Sequence, residues 1–205
     1  MRILVIGATG LLGTPVARAL EGNHEVLRAS LNGSALQVDF GDPESIRDLY
    51  AKVGQVDAVV SVAGQAVFRP LSDLSDADFE LGLQNKLMGQ INLVRLGIES
   101  LKDGGSFTLT SGQLSRWPVP GAVAVSVVNA GVEAFARAAA LELPRGLRIN
   151  AVAPGWVRET LLGLKMDPAP GVRPWKWRKP PIAVISLKRN REKQTKERTI
   201  TCRLI

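Results

Sequence analysis

Apolar runs alternate with helical patterns along most of the chain. Short runs of Val, Ile, Leu and Ala without polar alternation predict buried strands over residues 2–6, 24–29, 56–62, 105–110 and 147–153. Apolar residues at helical spacing predict helices near residues 11–21, 43–53, 75–100 and 123–143. This alternation predicts an α/β fold, a three-layer doubly wound parallel sheet with helices on both faces.

The most specific local pattern follows the first predicted strand. Gly7, Gly10 and Gly13 form a Gly-x-x-Gly-x-x-Gly turn, and an apolar helix with Pro15 in its first turn comes next. Such glycines allow a tight turn, a close approach of backbone N–H groups to a pyrophosphate, and packing of the helix on the strand. The pattern predicts a dinucleotide site at a helix N-terminus, and an ordinary strand-turn-helix corner is the alternative.

Charge is distributed unevenly along the 205 residues. The net charge is +7, but residues 173–205 hold 11 Lys and Arg against 2 Glu, while residues 1–172 hold 15 against 17 acidic residues. All 20 glycines lie at or before Gly171. This change of composition predicts a folded domain over residues 1–171 and a basic, Pro- and Trp-containing tail over residues 172–205, so that the C-terminal end of the sheet is atypical.

Three interpretations of this tail remain open. It is a basic arm for nucleic acid or an acidic membrane, a solvated extension, or a translation of a shifted reading frame. Prolines disfavour a helix near residues 174–181, and the alternation in residues 199–205 predicts a final strand.

Composition also excludes several classes of protein. No uncharged apolar stretch reaches the ~18 residues of a membrane span, and the chain enters a strand without a basic leader, so we expect a cytoplasmic protein. One cysteine, Cys202, excludes an internal disulfide framework. With His24 as the single histidine, we expect no metal site of nitrogen and sulfur ligands.

Five ordered motifs resemble the short-chain dehydrogenases/reductases over roughly the first 165 residues. They are Gly7 to Gly13, Val38-Asp39, Val62-Ala63-Gly64 in place of Asn-Ala-Gly, Leu109-Thr110-Ser111, and Asn150 to Val157. The resemblance implies a Rossmann fold that binds NAD(H) or NADP(H), with Asp39 near the adenine and Ala63-Gly64 beside a ribose. The cofactor-binding residues expected from the resemblance and the strand end are Gly7, Thr9, Gly10, Leu11, Leu12, Gly13, Ser30, Asn32, Asp39, Ala63, Gly64, Pro154, Gly155 and Val157.

The chain departs from this family at its catalytic signature, Tyr-x-x-x-Lys. Tyr50 is the single tyrosine, and Gly54 stands four positions after it. Aligned on Asn129 to Glu133, Val125 takes the tyrosine position and Asn129 the lysine position. Valine cannot transfer a proton, so the expected general acid is missing.

A lysine stands where the family usually has a catalytic asparagine. Anchored on Gly89, the stretch corresponding to Asn-x-x-Gly begins at Lys86. We therefore expect an exchange in which Lys86 supplies charge or a proton from one helix while Asn129 faces it from another. In the alternative alignment Asn85 is the equivalent asparagine and Lys86 is solvated.

The resemblance implies an oxidoreductase that moves hydride between nicotinamide and a carbonyl or alcohol. Ser111 matches the serine that polarises the substrate oxygen, and the predicted catalytic residues are Ser111, Lys86 and Asn129. Ser126, next to the lost tyrosine position, is expected to be a neutral helix hydroxyl. The rival interpretation is a catalytically silent dinucleotide-binding sensor or partner subunit.

Cofactor choice depends on the end of the second strand, where an acidic residue would repel a 2′-phosphate. This strand end has no acid, while Ser30 and Asn32 could bond a phosphate and Arg28 could reach it. NADP is therefore favoured over NAD. Relatives pair through two long helices, which implies a homodimer or homotetramer, and we expect no membrane or nucleic-acid partner apart from any that the tail binds.

Overall fold

The sheet is parallel over six strands, five of which are those that the apolar runs predict. The computed structural model describes residues 1–163, Asp167, 183–186 and 203–204. Within them the strand order is β3-β2-β1-β4-β5-β6-β7-β8, with β7 antiparallel to β6 and β8 antiparallel to β7. The strands are β1 (Arg2–Ile6), β2 (Glu25–Ser30), β3 (Leu36–Gln37), β4 (Val56–Ser61), β5 (Leu101–Thr110), β6 (Arg148–Ala153), β7 (Ala183–Ser186) and β8 (Arg203–Leu204). The doubly wound α/β class is confirmed.

Six α-helices cover the sheet in the described residues. They are α1 (Gly13–Glu21), α2 (Pro43–Val53), α3 (Asp76–Leu81), α4 (Gly89–Gly97), α5 (Val123–Ala139) and α6 (Arg158–Gly163). Three short 3₁₀ segments, at Leu71–Asp73, Ile98–Ser100 and Gln113–Ser115, complete the connections. Helix α2 starts where its sequence directs, because Asp42 Oδ1 accepts the Glu44 N–H at 2.9 Å and Pro43 takes the first helical position.

The sequence analysis missed three short elements and misplaced the ends of two others. The two-residue β3, the short α6 and the strand β7 have too little periodicity to be visible as patterns. Helix α5 ends at Ala139 rather than at residue 143, and β5 begins at Leu101 rather than at residue 105. Strand β8 lies within the segment 199–205 where a final strand was predicted.

The predicted helix over residues 75–100 is interrupted near its middle. Ser75 and Asp78 form a reciprocal capping box that starts α3, and the segment Gly82–Met88 is then a π-helix before α4 begins. A π turn holds one more residue per hydrogen-bonded ring than an α turn, and such turns are frequent at functional sites. Lys86 lies inside this turn.

Apolar side chains fill both faces of the sheet. One cluster packs α2, α4 and α5 against the strands and includes Leu49, Leu93, Phe107 and Val132. A smaller cluster around Val5 packs α1 on the opposite face. Burying an aliphatic or phenylalanine side chain of this size contributes about 1.5–3 kcal/mol, so the two clusters hold the strand ends in place.

Loops that follow β1, β4, β5 and β6 meet at the carboxyl edge of the sheet, where open α/β folds place their ligand crevice. None of the described helices is long and apolar enough to cross a membrane. The predicted division between residues 171 and 172, and the three interpretations of the tail, lie outside the described residues apart from β7 and β8.

Candidate functional site

A pocket opens at the carboxyl edge of the sheet, and all three predicted catalytic residues line it. The predicted residues in its wall are Leu12, Ala63, Gly64, Lys86, Ser111, Asn129, Pro154, Gly155 and Val157. Residues that the sequence did not single out for the wall are Val62, Phe68, Thr110, Gly112, Gln113, Leu114, Val125, Trp156 and Thr160. The pocket therefore joins the glycine loop to the ends of β4, β5 and β6.

The glycine loop adopts a conformation that side chains would prevent. Gly7 has a φ of +79°, which favours glycine, and a β-carbon on Gly13 would lie 1.9 Å from the Gly7 carbonyl oxygen. The Gly10 N–H donates to this same oxygen at 3.0 Å. These contacts bring the start of α1 against the end of β1.

Backbone donors at this loop are free to bind an anion. The N–H groups of Leu11, Leu12 and Gly13 make no hydrogen bond within the part of the chain that the structure describes. They lie at the N-terminus of the nine-residue α1, where the helix macrodipole favours negative charge. Three unpaired backbone donors at a helix N-terminus fit the pyrophosphate of a dinucleotide.

Ser30 and Thr9 hold the loop from the end of β2. Ser30 is 4% exposed, and its Oγ donates to the Ala29 carbonyl at 2.7 Å while it accepts the Thr9 N–H at 3.1 Å. The Thr9 hydroxyl donates to the Asn32 carbonyl at 3.1 Å. The Ser30 hydroxyl is thus engaged inside the protein, whereas the Asn32 side chain is exposed and open to a ligand.

Arg28 does not reach the end of β2, contrary to the sequence expectation. Its Nε and Nη2 donate to the two carboxylate oxygens of Glu21 at 2.6 and 2.9 Å. Alternating side chains along the strand direct Arg28 to the face that α1 covers. Asp39 is exposed beyond the same edge, and its Oδ1 accepts the Gly41 N–H at 2.9 Å.

Lys86 lines the pocket rather than pointing into bulk solvent. Its aliphatic stem lies against Gly64, whose φ is +134°. The residue keeps some accessible surface at the pocket wall, yet burial among protein atoms lowers the pKa of Lys86 to about 8. No carboxylate in the described residues forms an ion pair with Lys86, so nothing offsets this desolvation.

The neighbouring Asn85 is directed elsewhere. Its Oδ1 accepts the Gln65 N–H at 2.9 Å, on the loop that follows β4. The two side chains therefore differ in position, and Lys86 is the one in the pocket wall.

A fully buried amide holds the π turn against β5. Gln90 Nε2 donates to the Thr110 carbonyl at 3.0 Å, and the Thr110 N–H donates to Gln90 Oε1 at 2.8 Å. The same Nε2 lies 3.3 Å from the Lys86 carbonyl oxygen. Because both ends of this amide are bonded, the backbone of Lys86 is fixed relative to the end of β5.

Asn129 reaches the pocket from α5, opposite the π turn. The residue is 1% exposed, and its Oδ1 has no hydrogen-bond partner. A β-carbon on Gly112 would lie 2.8 Å from Asn129 Nδ2, so the glycine makes room for the amide. A buried unpaired acceptor in a pocket wall is costly and fits a ligand that brings a donor.

Ser111 is bonded to a carboxylate that sequence reasoning missed. Ser111 Oγ donates to Glu133 Oε1 at 2.8 Å, and Ser115 Oγ donates to the same oxygen at 2.6 Å. Arg116 Nη2 donates to Glu133 Oε2 at 3.2 Å. Glu133 is 4% exposed and lies four residues after Asn129, a spacing that puts both on one face of α5 and could have identified it.

The rest of the pocket wall is apolar. Val125, which the sequence analysis aligns with the tyrosine of the catalytic signature, belongs to a buried cluster with Leu114 and Ala122. Phe68 and Trp156 pack on this cluster, with their ring centroids 6.1 Å apart. Neither aromatic residue was among the predicted site residues. Phe68 belongs to no motif, and Trp156 lies within the Asn150 to Val157 motif without having been assigned a role.

Tyr50 does not replace the missing phenol. Its hydroxyl is buried between α2 and α4 and donates to the Leu93 carbonyl at 2.7 Å. Burial raises the pKa of Tyr50, and the residue is absent from the pocket wall. No group of three His, Cys, Asp or Glu among the described residues is placed to hold a metal ion.

Comparison with known proteins agrees with this fold. The family model described as enoyl-(acyl carrier protein) reductase matches residues 7–180. Versicolorin reductase 1 of Aspergillus parasiticus is 30% identical over 130 residues, which cover 60% of this chain and 50% of the relative. The chain spans about half the length of the first curated relatives that it matches.

Structural similarity extends over more of the chain. The protein lin1944 of Listeria innocua is 42% identical, with a TM-score of 0.80 over 86% of this chain and 89% of its own. A small-chain dehydrogenase in complex with NADPH is 30% identical, with a TM-score of 0.73 over 80% of this chain and 74% of its own.

Proposed function

Because this chain belongs to the short-chain dehydrogenase/reductase superfamily, we propose that it is an NADP(H)-dependent oxidoreductase acting on a carbonyl or alcohol. The observation that carries the proposal is the position of Lys86. A desolvated lysine without an ion-pair partner lines the same pocket as Ser111 and Asn129, next to the glycine loop. Lys86 would take the place of the tyrosine of the Tyr-x-x-x-Lys signature, which the described wall of this pocket lacks.

The chain's own residues fit a nicotinamide dinucleotide. The N–H groups of Leu11, Leu12 and Gly13 would bind the pyrophosphate, and Ala63 and Gly64 would lie beside a ribose. The unpaired Asn129 Oδ1 would accept a hydrogen bond from a ribose hydroxyl, in the position where the family has lysine. Pro154, Gly155 and Val157 line the opposite wall, and the bound nicotinamide would supply or take up the hydride.

Lys86 would supply the proton. A general acid works best when its pKa is near the working pH, and desolvation brings the pKa of Lys86 to about 8. In its protonated form the ammonium would donate to the oxygen of a carbonyl. In the reverse direction the neutral amine would accept the proton of an alcohol.

NADP(H) is supported over NAD(H) by the end of β2. No acidic side chain follows Ser30 before Asp39, and Asn32 is exposed there to bond a 2′-phosphate. A relative that is 30% identical has been seen with NADPH.

The apolar wall of the pocket supports a substrate with an apolar body. Phe68, Leu114, Val125 and Trp156 provide this wall beside Lys86. Exposed apolar residues on α5, Val123 and Val127, favour a homodimer or homotetramer formed through the long helices. A cytoplasmic location stays a prediction from the sequence.

The absence of a tyrosine from the described pocket wall favours a second candidate, a binding protein without turnover. Loss of a general acid or base costs ~10²–10⁴-fold in rate. In that case the pocket would bind NADPH as a sensor or as the partner subunit of another enzyme.

Two measurements test the first candidate. NADPH binding is followed by the change in its fluorescence, and its oxidation is followed by absorbance with a panel of apolar aldehydes and ketones. Lys86→Met removes the ammonium at similar side-chain length, and Lys52→Met, on the exposed face of α2, is the matched control.

We expect Lys86→Met to lose turnover by about 10²-fold or more while NADPH affinity changes little, and Lys52→Met to leave both unchanged. Tight NADPH binding without oxidation of any substrate would favour the silent binding protein. Absence of NADPH and NADH binding would overturn both candidates.

A further inference from the structure

The carboxylate of Glu133 fixes the direction of the Ser111 hydroxyl. Glu133 receives three donors, the hydroxyls of Ser111 and Ser115 on one oxygen and the Arg116 guanidinium on the other. Glu133 is 4% exposed and Ser111 is 3% exposed, so water does not compete for these bonds. Ser111 has one proton, and in this structure that proton is donated to Glu133.

A neutral ligand would not reverse this arrangement. Hydrogen bonds to an ionised acceptor are roughly twice as strong as bonds between neutral groups. A carbonyl oxygen competing for the Ser111 proton would also leave the buried Glu133 with one donor fewer, which carries a desolvation cost.

We propose that Glu133 is a positioning residue that makes Ser111 a hydrogen-bond acceptor toward the pocket, so that the site holds a hydroxyl-bearing ligand through Ser111 and leaves proton donation to Lys86. This inference rests on the proposed function. It reverses the role expected from the family resemblance, in which Ser111 polarises a carbonyl by donating to it. The alcohol member of the substrate pair therefore gains a contact that the carbonyl member lacks.

The variant Glu133→Gln would reverse the direction of the hydrogen bond between Ser111 and residue 133. The guanidinium of Arg116 requires an acceptor, so the amide oxygen of Glu133→Gln would face Arg116 and its NH₂ would take the place of Oε1. That NH₂ would donate to Ser111, whose proton would then be free to point into the pocket.

The experiment uses non-reacting ternary complexes of the full chain. The binding of 1-phenylethanol is measured by calorimetry in the presence of NADPH, and that of acetophenone in the presence of NADP⁺. Neither mixture can transfer hydride, so affinity is measured without turnover. Both probes carry a phenyl ring, which suits a pocket with an apolar wall of Phe68 and Trp156.

We expect Ser111→Ala to weaken 1-phenylethanol binding by about 2- to 12-fold, the loss of one neutral hydrogen bond, and to change acetophenone binding by less than about 2-fold. Glu133→Gln should strengthen acetophenone and weaken 1-phenylethanol. The control is Ser115→Ala, which removes a donor to the same Glu133 oxygen from a residue outside the pocket wall and should leave the alcohol-to-ketone affinity ratio unchanged.

The Ser111→Ala result alone tests the acceptor role of Ser111, so the experiment holds even if Glu133→Gln is too unstable to purify. A loss confined to acetophenone, an equal loss of both probes, or no difference from the wild-type protein would overturn the acceptor role. Absence of binding of either probe to a protein that binds NADPH would also overturn it. If NADPH binding and Lys86-dependent turnover persist in any of these cases, the proposed function stands and this inference alone fails.

Discussion

Gly64 lies directly against the side chain of Lys86. A β-carbon added to Gly64 would come within 2.7 Å of Lys86 Cγ and 3.0 Å of Lys86 Cβ. Gly64 ends the Val-Ala-Gly motif after β4, and Lys86 lies in the π turn between α3 and α4. The two elements are thus close enough that glycine is required for the lysine to reach the pocket.

Gly64→Ala should therefore displace Lys86. The new methyl group would also adopt a φ of +134°, which alanine disfavours, and the nearest backbone atom, Lys86 Cα, lies 3.2 Å away. We expect turnover to fall by about 10²-fold or more, as in Lys86→Met, because the proton donor moves. Steady-state kinetics with NADPH and any accepted carbonyl measure this loss.

Gly54→Ala is the matched control. Gly54 also has a positive φ, +65°, but its added β-carbon meets no atom within 4 Å. This variant should lose some stability and keep full specific activity. Equal activity losses in the two variants would show that backbone strain, and not the contact with Lys86, is responsible.

The pH dependence of the reaction should follow Lys86. Reduction needs the protonated amine, so its kcat/KM should be constant at low pH and fall above pH 8, the pKa to which burial brings Lys86. Oxidation needs the neutral amine, so its kcat/KM should rise with pH and level off above the same value. Initial rates in both directions check this.

Lys86→Arg is the informative variant, because a guanidinium stays protonated at every accessible pH. Because a guanidinium releases its proton poorly, reduction should be slower in this variant, and the activity that remains should lack the basic limb. A basic limb that persists unchanged in this variant would assign the titration to another group.

The sequence predicts those features of the fold and the site that depend on contacts between residues close together in the chain. Gly10 and Gly13 make their close contacts with Gly7 inside one strand-turn-helix unit, and Gly7 itself has a positive φ, so the spacing of the three glycines predicts the loop. Lys86 was found because Gly89, three residues later, fixes the alignment of its helix. Both cases depend on residues close together in the chain.

The missed features depend on distant contacts. The π turn at Gly82–Met88 is held by Gln90, which bonds to Thr110 twenty residues away, and ordinary helical periodicity continues on either side of it. The direction of the Ser111 hydroxyl is set by Glu133, which belongs to a different element. Arg28 was misjudged because its partner, Glu21, is exposed on α1 and follows no motif.

The pH dependence of the free energy of unfolding should reveal the buried Lys86 ammonium without any measurement of activity. The pKa of Lys86 is about 8 in the folded protein, against 10.5 for an ordinary lysine. Below pH 8 both states are protonated, and the folded state bears the full cost of desolvating the charge. Between pH 8 and 10.5 the unfolded state binds more protons, so the free energy of unfolding gains a contribution that rises with pH.

Lys86→Met lacks this contribution. The free energy of unfolding of the variant minus that of the wild-type protein should therefore be greatest at about pH 7 and smaller at about pH 9.5. Urea unfolding at both pH values measures it, and Lys52→Met provides the reference, because an exposed lysine should give a difference that does not change with pH. A constant difference for Lys86→Met would mean that its ammonium is well solvated.

Cofactor preference should respond to a single charge at Asn32. Asn32→Asp keeps the size of this exposed side chain, and the backbone carbonyl that accepts the Thr9 hydroxyl is unaffected. A carboxylate about 4 Å from a unit charge costs about 1 kcal/mol in water, so NADPH should bind at least about fivefold more weakly, while NADH should bind as well as before or better. Fluorescence titration with each nucleotide gives the ratio, and added salt should reduce the effect. Asn32→Ala controls for the lost amide, because it removes the hydrogen bond without adding charge. If Asn32→Asp changed the affinities for NADPH and NADH equally, the 2′-phosphate would lie away from the end of β2.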